Sequence, residues 1–424
     1  MRYFVESYGC TMNFGEGNDL ADKMRALGHS PSDSADDADI VILNTCTVVD
    51  ITEKKMIERI SQLKGMNKEV VVTGCMAKVQ TPRISVRLPN SLIIPPGAYD
   101  SFPEKITKKY GTCGPPVIAD AAGTNMEMGC TSIIPIAQGC LGDCTYCITR
   151  FARGRLSSYP EDGILKKFTD ALKRGCKEIL ITAQDTACYG FDIGTALPEL
   201  IGKMLSVDGE YRIRIGMMNP ESLERILDGL MRVMKDDRVY RFVHVPVQSG
   251  SDGVLKRMGR RYTASRFVSM VEKMRSFHKD ITVSTDLISG FPGESEEDHK
   301  RSLDLIRTVS PDTVNVTRFS GRPCTEAALM SDQIHGRISK ERSRQLTEMR
   351  HGEAESRNRE LIGRTVRVLV TEKGKKGTMI ARAGNYKQVI ISGDNEVGTF
   401  VDVVIDDCVS THLFGTTKRS PAEP

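Results

Sequence analysis

The chain has 424 residues, 39% hydrophobic and 27% charged, with Lys+Arg 59 nearly balanced by Asp+Glu 55 for a formal net charge of +4. That composition excludes a disordered chain, and the length asks for two or three packed domains rather than one. No run of about 18 apolar residues occurs and the opening MRYFVESYGC has too short an apolar run for a signal peptide, so a cytoplasmic protein with no membrane partner is expected.

In chain order, Tyr3 to Glu6 reads as a strand and Asp19 to Leu27 as a helix ended by Gly28. The apolar run Ile40 to Leu43, a helix around Thr52 to Leu63, and Val70 to Val72 follow. Strands alternating with helices predict an N-terminal α/β domain with a mainly parallel sheet, whose strands are continuous apolar runs because both faces are covered. Pro- and Gly-rich stretches then lead to a linker around Asp120 to Gly129. Beyond it six candidate strands recur with helical segments between them: Ile133 to Ala137, Glu178 to Thr182, Arg212 to Gly216, Phe242 to Val247, Ile281 to Leu287 and Thr313 to Phe319. Repeated βα units of this kind curl into an open (βα)6 partial barrel. Arg337 to Glu360, rich in Lys, Arg and Glu, reads as a solvated helix. The short runs Val366 to Val370, Gly377 to Ala381, Gln388 to Ile391 and Phe400 to Ile405 predict a small C-terminal β-barrel, with the tail from Thr416 to Pro424 frayed. The expected domains are 1–120, 130–357 and 361–420.

Twelve cysteines are too many to ignore, yet disulfide frameworks belong to short secreted chains that cannot build a core. Cys140, Cys144 and Cys147, spaced CxxxCxxC, directly follow the first strand of the barrel unit. Three soft thiolates in one loop suit an iron-sulfur cluster or zinc. A structural zinc would want a fourth ligand close by, and no neighbouring Cys or His offers one. The loop also lies at the carboxyl end of a strand, where βα-barrel enzymes place their chemistry. Cys10, Cys46 and Cys75 are far apart in sequence, but each follows a predicted strand end, where open parallel sheets bind ligands. The bland alternative for each is a buried apolar thiol.

The CxxxCxxC loop, with Tyr146 before its last cysteine, resembles the radical S-adenosylmethionine (SAM) superfamily. Gly9-Cys10-Thr11-Met12-Asn13, Asn44-Thr45-Cys46 and Thr73-Gly74-Cys75, followed by that loop and a terminal β-barrel, resemble the methylthiotransferases over nearly the whole chain. The resemblance implies two 4Fe-4S clusters, one on Cys140, Cys144 and Cys147 and an auxiliary one on Cys10, Cys46 and Cys75. Each would keep one open iron. It implies SAM as both radical source and methyl donor, a terminal barrel of the RNA-binding TRAM type, and an electron donor such as a ferredoxin or flavodoxin. The stretches Cys147 to Pro160 and Gln184 to Gly194 resemble the archaeal and eukaryotic branch, which acts on N6-threonylcarbamoyladenosine at tRNA position 37, in the anticodon stem-loop. Isopentenyl-adenosine of tRNA and a ribosomal-protein aspartate are the family's alternative substrates. Ala183 and Cys324 depart from the pattern, standing where glycine is usual.

Further residues are candidates through their places in loops. Tyr146, Gln184, Asp185, Gln248, Asp286 and Gly290 lie at or beyond strand ends and are expected near SAM, Gly290 in a segment similar to one that lies along its adenine. Lys256, Arg257, Arg260 and Arg261 are candidate RNA contacts, with a solvated helix face as the plainer reading. Lys373, Lys375 and Lys376 fall on one expected hairpin tip, where cations can reach phosphates. The competing hypothesis of another class is a non-catalytic RNA-binding iron-sulfur redox sensor.

Overall fold

The computed structural model describes residues 1–116 and 129–418. Of the expected linker, only Gly129 lies within them.

The first sheet contains β1 (Arg2–Ser7), β2 (Ser30–Pro31), β3 (Ile40–Thr45), β4 (Glu69–Gly74) and β5 (Leu92–Ile93), in the order β2-β1-β3-β4-β5 with every pairing parallel. Alternate side chains leave opposite faces. Val41, Leu43, Val70 and Val72 meet Met56, Ile60 and Leu63 on one side; Tyr3, Val5, Ile40 and Ile42 meet Leu20, Met24, Phe102 and Ile106 on the other. The first helix spans Thr11–Ala26 rather than starting at Asp19. Its early turns carry Gly15 and Gly17, poor helix formers that hide the signal in the sequence. Packing explains both. A Cβ on Gly17 would lie 2.0 Å from the Ser7 Oγ, and one on Gly15 would lie 2.8 Å from Ile133 and 2.9 Å from Pro135, so this helix touches both sheets at van der Waals distance.

The second unit contains β6 (Thr131–Pro135), the two-residue pair β7 (Ala137–Gln138) and β8 (Ser157–Ser158), then β9 (Glu178–Thr182), β10 (Arg212–Ile215), β11 (Phe242–His244), β12 (Thr282–Ser289) and β13 (Thr313–Arg318). Two three-stranded parallel sheets, β6-β9-β10 and β11-β12-β13, are linked by parallel bridges at Ile213–Val239 and Met217–His244. The result is the open six-stranded arrangement expected from the βα spacing. Helices between the strands lay their apolar faces on one continuous core. The helix Gly336–Arg359 is less solvated than its composition suggests: it buries Ser339, Arg342, Leu346, Ala354 and Asn358.

The C-terminal strands β14 (Thr365–Lys373), β15 (Thr378–Ala383), β16 (Gln388–Ser392), β17 (Phe400–Cys408) and β18 (Leu413–Thr417) close into a barrel, ordered β14-β15-β16-β18-β17. Of the tail expected to fray from Thr416 to Pro424, Thr416 and Thr417 end β18, and 419–424 lie outside the described residues. The inward positions of β18 are only Leu413 and Gly415, too few to signal a strand by alternation. A Cβ on Gly415 would lie 2.4 Å from Val403, so the strand closes the barrel at this close approach.

This barrel caps the amino ends of the parallel strands, away from their carboxyl ends. The Arg241 N–H donates to the Gly384 carbonyl at 2.9 Å, and the rings of Tyr240 and Tyr386 meet edge to face at 4.8 Å. At the seam Asp312 accepts from Lys387 Nζ at 2.6 Å, Arg357 Nε at 3.0 Å and the Val283 N–H at 2.9 Å. Burial alone would raise this carboxyl; Lys387 and Arg357 outweigh it and hold it below the ordinary carboxylate value. A depressed carboxyl stabilises above its unfolded pKa of about 3.9 and loses that stabilisation as pH falls through the lower folded value. Asp312→Asn should therefore cost about 3 kcal/mol at neutral pH by leaving buried cations unpaired, and the deficit should shrink below about pH 4. Thermal unfolding across that range, with proteolytic release of the terminal barrel as a second readout, checks both.

Candidate active site

The order β1-β3-β4 sets three strand ends side by side, and Cys10, Cys46 and Cys75 lie just beyond them. Cys46 and Cys75 are buried and Cys10 is exposed. Two glycines permit the approach. Gly9 has φ 106°, and a Cβ there would lie 2.7 Å from the Cys46 Sγ; Gly74 has φ 81°, and its Cβ would lie 2.2 Å from the Thr45 carbonyl oxygen. Side chains at positive φ with no room would force the turns apart. Asn13 ties the turns together: its amide donates to Tyr8 O at 2.7 Å and Thr45 O at 3.1 Å, while its Oδ1 lies 3.9 Å from the Cys10 Sγ.

The second triad occupies the loop between β7 and β8. Gly139 begins it at φ 80°, donating its N–H to Gln184 Oε1 at 2.7 Å, and the Cys140 N–H closes the base on the Gly154 carbonyl at 3.3 Å. The Sγ atoms of Cys140 and Cys144 lie 3.5 and 3.6 Å from the point a Gly142 Cβ would occupy, and the Gly142 N–H donates to the Cys140 Sγ at 3.3 Å. Thr145 holds the loop to the turn after Arg257, through its N–H to Met258 O at 3.1 Å and its hydroxyl to Arg257 O at 2.9 Å.

One side chain from beside the second triad reaches the first. Arg153, at the end of the short helix Thr149–Arg153 that follows Cys147, is 1% exposed and directed into the N-terminal sheet's strand ends. Its Nε donates to the Cys75 Sγ at 3.4 Å and its Nη2 to Asn13 Oδ1 at 2.7 Å, and its Nη1 pairs with Glu16. Arg322, from the loop after β13, makes a second crossing, pairing with Glu53 and donating to the Thr47 carbonyl at 2.8 Å. The two sets of strand ends therefore face each other.

Burial pushes Cys75 up to about 11 and Cys140 up to about 12, and raises Cys46 and Cys144 as well. Arg153 opposes the rise at Cys75, and Arg260 opposes it at Cys144. Without metal these four are protonated at neutral pH, and only a cation that replaces the proton makes them thiolates. Among the described residues no group of three His, Cys, Asp or Glu surrounds a single-ion position. In a four-iron cube each thiolate takes a different iron, which needs a wider triad than one ion does. Three soft donors per site, with no carboxylate or imidazole among them, fit such a group.

Models of three families match in order: uncharacterized protein family UPF0004 over residues 2–94, the radical SAM superfamily over 134–306 and the TRAM domain over 359–418. A Pyrococcus horikoshii protein named probable threonylcarbamoyladenosine tRNA methylthiotransferase is 40% identical over 98% of this chain and 99% of its own length. The threonylcarbamoyladenosine tRNA methylthiotransferases of Xenopus laevis and Homo sapiens are both 32% identical, covering 95% and 92% of this chain and 75% and 69% of their own lengths. The chain belongs to the threonylcarbamoyladenosine tRNA methylthiotransferase family. The radical SAM methyltransferase TsrM of Kitasatospora setae, solved with cobalamin and a [4Fe-4S] cluster, shares the fold with a TM-score of 0.53 at 14% identity, over 75% of this chain and 70% of its own. No described helix is long and apolar enough to cross a membrane.

The other sequence candidates of this family member divide. Gln184 sits at the cysteine loop, but through the Gly139 N–H. Asp185, expected at the cofactor, has its carboxylate taken by the N–H groups of Ala187 at 3.2 Å and Asn219 at 3.0 Å and the Ser222 hydroxyl at 2.7 Å, so it clamps loops. Gly290, at φ 74°, donates its N–H to Glu294, and a Cβ would lie 2.6 Å from Ser339; its smallness serves helix packing. Asp286 accepts from His244 and Asn315, both at 2.8 Å, on the same strand face as Ile288, which packs near Tyr146. Gln248 has φ 72° and joins β12 through its backbone, donating to Asp286 O at 2.8 Å. Of the four clustered cations, Lys256 and Arg261 are exposed, while Arg257 donates to Gly293 O at 2.6 Å. Arg260 turns inward: it donates to the Tyr146 hydroxyl at 2.7 Å and Asn219 Oδ1 at 3.1 Å and lies over the rings of Tyr146 and Tyr262, which removes it from phosphate contact. Lys373, Lys375 and Lys376 are exposed on the β14–β15 hairpin as expected. The sequence assigns no role to Glu16 or Arg322, and places Arg153 only among loop polar groups expected at the barrel mouth, whereas it points into the N-terminal sheet's strand ends.

In metal-free protein at pH 8, Cys75 and Cys140 should react with iodoacetamide at least about tenfold more slowly than exposed Cys113, because little thiolate is present. Peptide mass spectrometry over a time course measures this; equal rates would contradict the burial of the triads.

Proposed function

We propose that this protein inserts a methylthio group at C2 of N6-threonylcarbamoyladenosine at position 37 of tRNA. Cys140, Cys144 and Cys147 would hold one 4Fe-4S cluster and Cys10, Cys46 and Cys75 a second. The observation that carries the reading is that Arg153, on the helix directly after the CxxxCxxC loop, reaches across to donate to the Cys75 Sγ. C2 of an adenine is not acidic, so no side chain at an ordinary pKa removes its hydrogen. When bound, the clusters and SAM supply the electron, the radical and the methylated sulfur that this substitution needs.

The chain's own residues hold and orient. The β7–β8 clip, Gln184 and the Thr145 hydrogen bonds fix the cysteine loop; Asn13, Gly9 and Gly74 fix the other triad. The apolar group of Tyr146, Ile288, Phe291 and Phe319 beside the loop keeps water from a reactive site. Asp286, His244 and Asn315 offer polar groups on the Ile288 face, toward SAM or the target nucleoside. A cytoplasmic setting, a ferredoxin- or flavodoxin-type electron donor and the domain divisions at 1–120, 130–357 and 361–420 belong to the same reading.

The terminal barrel stands at the amino ends of β9 to β13, while the triads stand beyond the carboxyl ends of their strands. An RNA touching both must run the length of the strands, about 20 Å at ~3.3 Å per residue. A base-paired stem ending in the anticodon loop has that reach.

Reconstituted anaerobically, the protein should carry about eight iron atoms per chain and form deoxyadenosine from SAM under reduction. In cells lacking it, mass spectrometry of tRNA nucleosides should show threonylcarbamoyladenosine without its methylthio mark. An unchanged nucleoside profile would remove this substrate, and absence of deoxyadenosine would leave only a redox sensor. Replacing Lys373, Lys375 and Lys376 by alanine should weaken tRNA binding uniformly and flatten its salt dependence by about one unit of slope for each phosphate no longer neutralised, measured by binding at several salt concentrations.

A further inference from the structure

We infer that Arg153 is a positioning residue of the N-terminal triad, delivered by the radical SAM unit, and that it sets the reduction potential of the cluster there. The inference rests on the reading of Cys10, Cys46 and Cys75 as cluster ligands. Three observations carry it. The guanidinium is 1% exposed, so its charge is screened by little water. Its Nε donates to a ligand sulfur, Cys75 Sγ, at 3.4 Å. Its remaining partners, Asn13 Oδ1 at 2.7 Å and the Glu16 carboxylate, hold that nitrogen in place with a planar fork that lysine cannot copy.

The Asn13 Oδ1 that accepts from Arg153 only accepts, so the hydrogen bond Arg153 gives to a ligand sulfur is the one to Cys75, and its effect on the other two cysteines is that of its charge. Reduction adds negative charge to a cluster; an N–H bond to its sulfur and a nearby cation stabilise that charge, so the potential rises. Glu16 offsets part of the cation's field but none of the hydrogen bond. Tyr99 anchors Glu16 from behind, its hydroxyl lying 3.4 Å from the carboxylate and accepting from the Thr73 hydroxyl at 2.8 Å. The same short helix begins just after Cys147, so the N-terminal cluster would take its final potential only once the radical SAM loop is folded against it.

The test is a potentiometric titration followed by electron paramagnetic resonance on the reconstituted full-length protein, with iron counted in every sample. Arg153→Met should lower the midpoint of one cluster and leave the other in place. Arg153→Lys should give a smaller fall. Because Arg153→Met leaves Glu16 buried without its partner, the double change Glu16→Gln/Arg153→Met keeps the site neutral and should still lower the same midpoint through the missing N–H···S bond. Lys167→Ala is the control: Lys167 joins the same two units through Asp19 at 2.7 Å, and its removal should move neither potential. Two clusters with unchanged midpoints in the double variant, or an equal shift in the control, would overturn the inference. A wild-type count of about four irons would overturn the two-cluster reading beneath it instead.

Discussion

A guanidinium removed from water must find its partners inside the protein, and in this molecule those partners belong to a different sheet from the one that carries it. Arg153 follows the CxxxCxxC loop, whereas Glu16, Asn13 and Cys75 come from the N-terminal sheet. Separating the two would leave a buried cation on one side and a buried carboxylate on the other, each uncompensated. The docking of the radical SAM unit on the N-terminal sheet is therefore held by electrostatics as well as by apolar packing. Arg322 with Glu53 repeats the device at the other edge.

Around that constraint the backbone is shaped to bring sulfur together. Parallel strands point their carboxyl ends the same way, so cysteines placed just after β1, β3 and β4 are neighbours without being close in sequence. Gly9 and Gly74, at positive φ, remove the side chains that would hold the turns apart. The barrel strands present their own carboxyl ends and a single loop supplies the second triad. Both sites place an arginine by a cysteine, buried Arg153 at Cys75 and partly buried Arg260 near Cys144. Seating the terminal barrel at the opposite strand ends leaves the face-to-face region clear.

Much of this could be read from residues alone where the signal was local. The CxxxCxxC spacing, the β-branched runs and the lysine-rich hairpin tip are features of adjacent residues, and each lies where it was expected. The convergence of Cys10, Cys46 and Cys75 was legible only because a parallel sheet obliges its strand ends to align. Signals failed where packing reversed local preference. Gly15 and Gly17 mask the first two turns of a helix whose close packing requires them. β18 has two inward positions, one of them glycine, so barrel closure rather than alternation makes it a strand. Arg260 stands in a run of cations that reads as a phosphate-binding face, yet the rings of Tyr146 and Tyr262 draw it inward.

The sequence by itself determined the three architectures, the two sets of strand-end cysteines and the family, because hydrophobic period, strand-end position and cysteine spacing are properties of short stretches. Only the tertiary structure decided which polar groups stand beside those cysteines. Asn13, Glu16 and Arg153 meet across two sheets, and Asp185 and Gly290 turn out to hold loops and helices. A side chain's partner in three dimensions depends on how sheets dock, and no local pattern of residues encodes that distance.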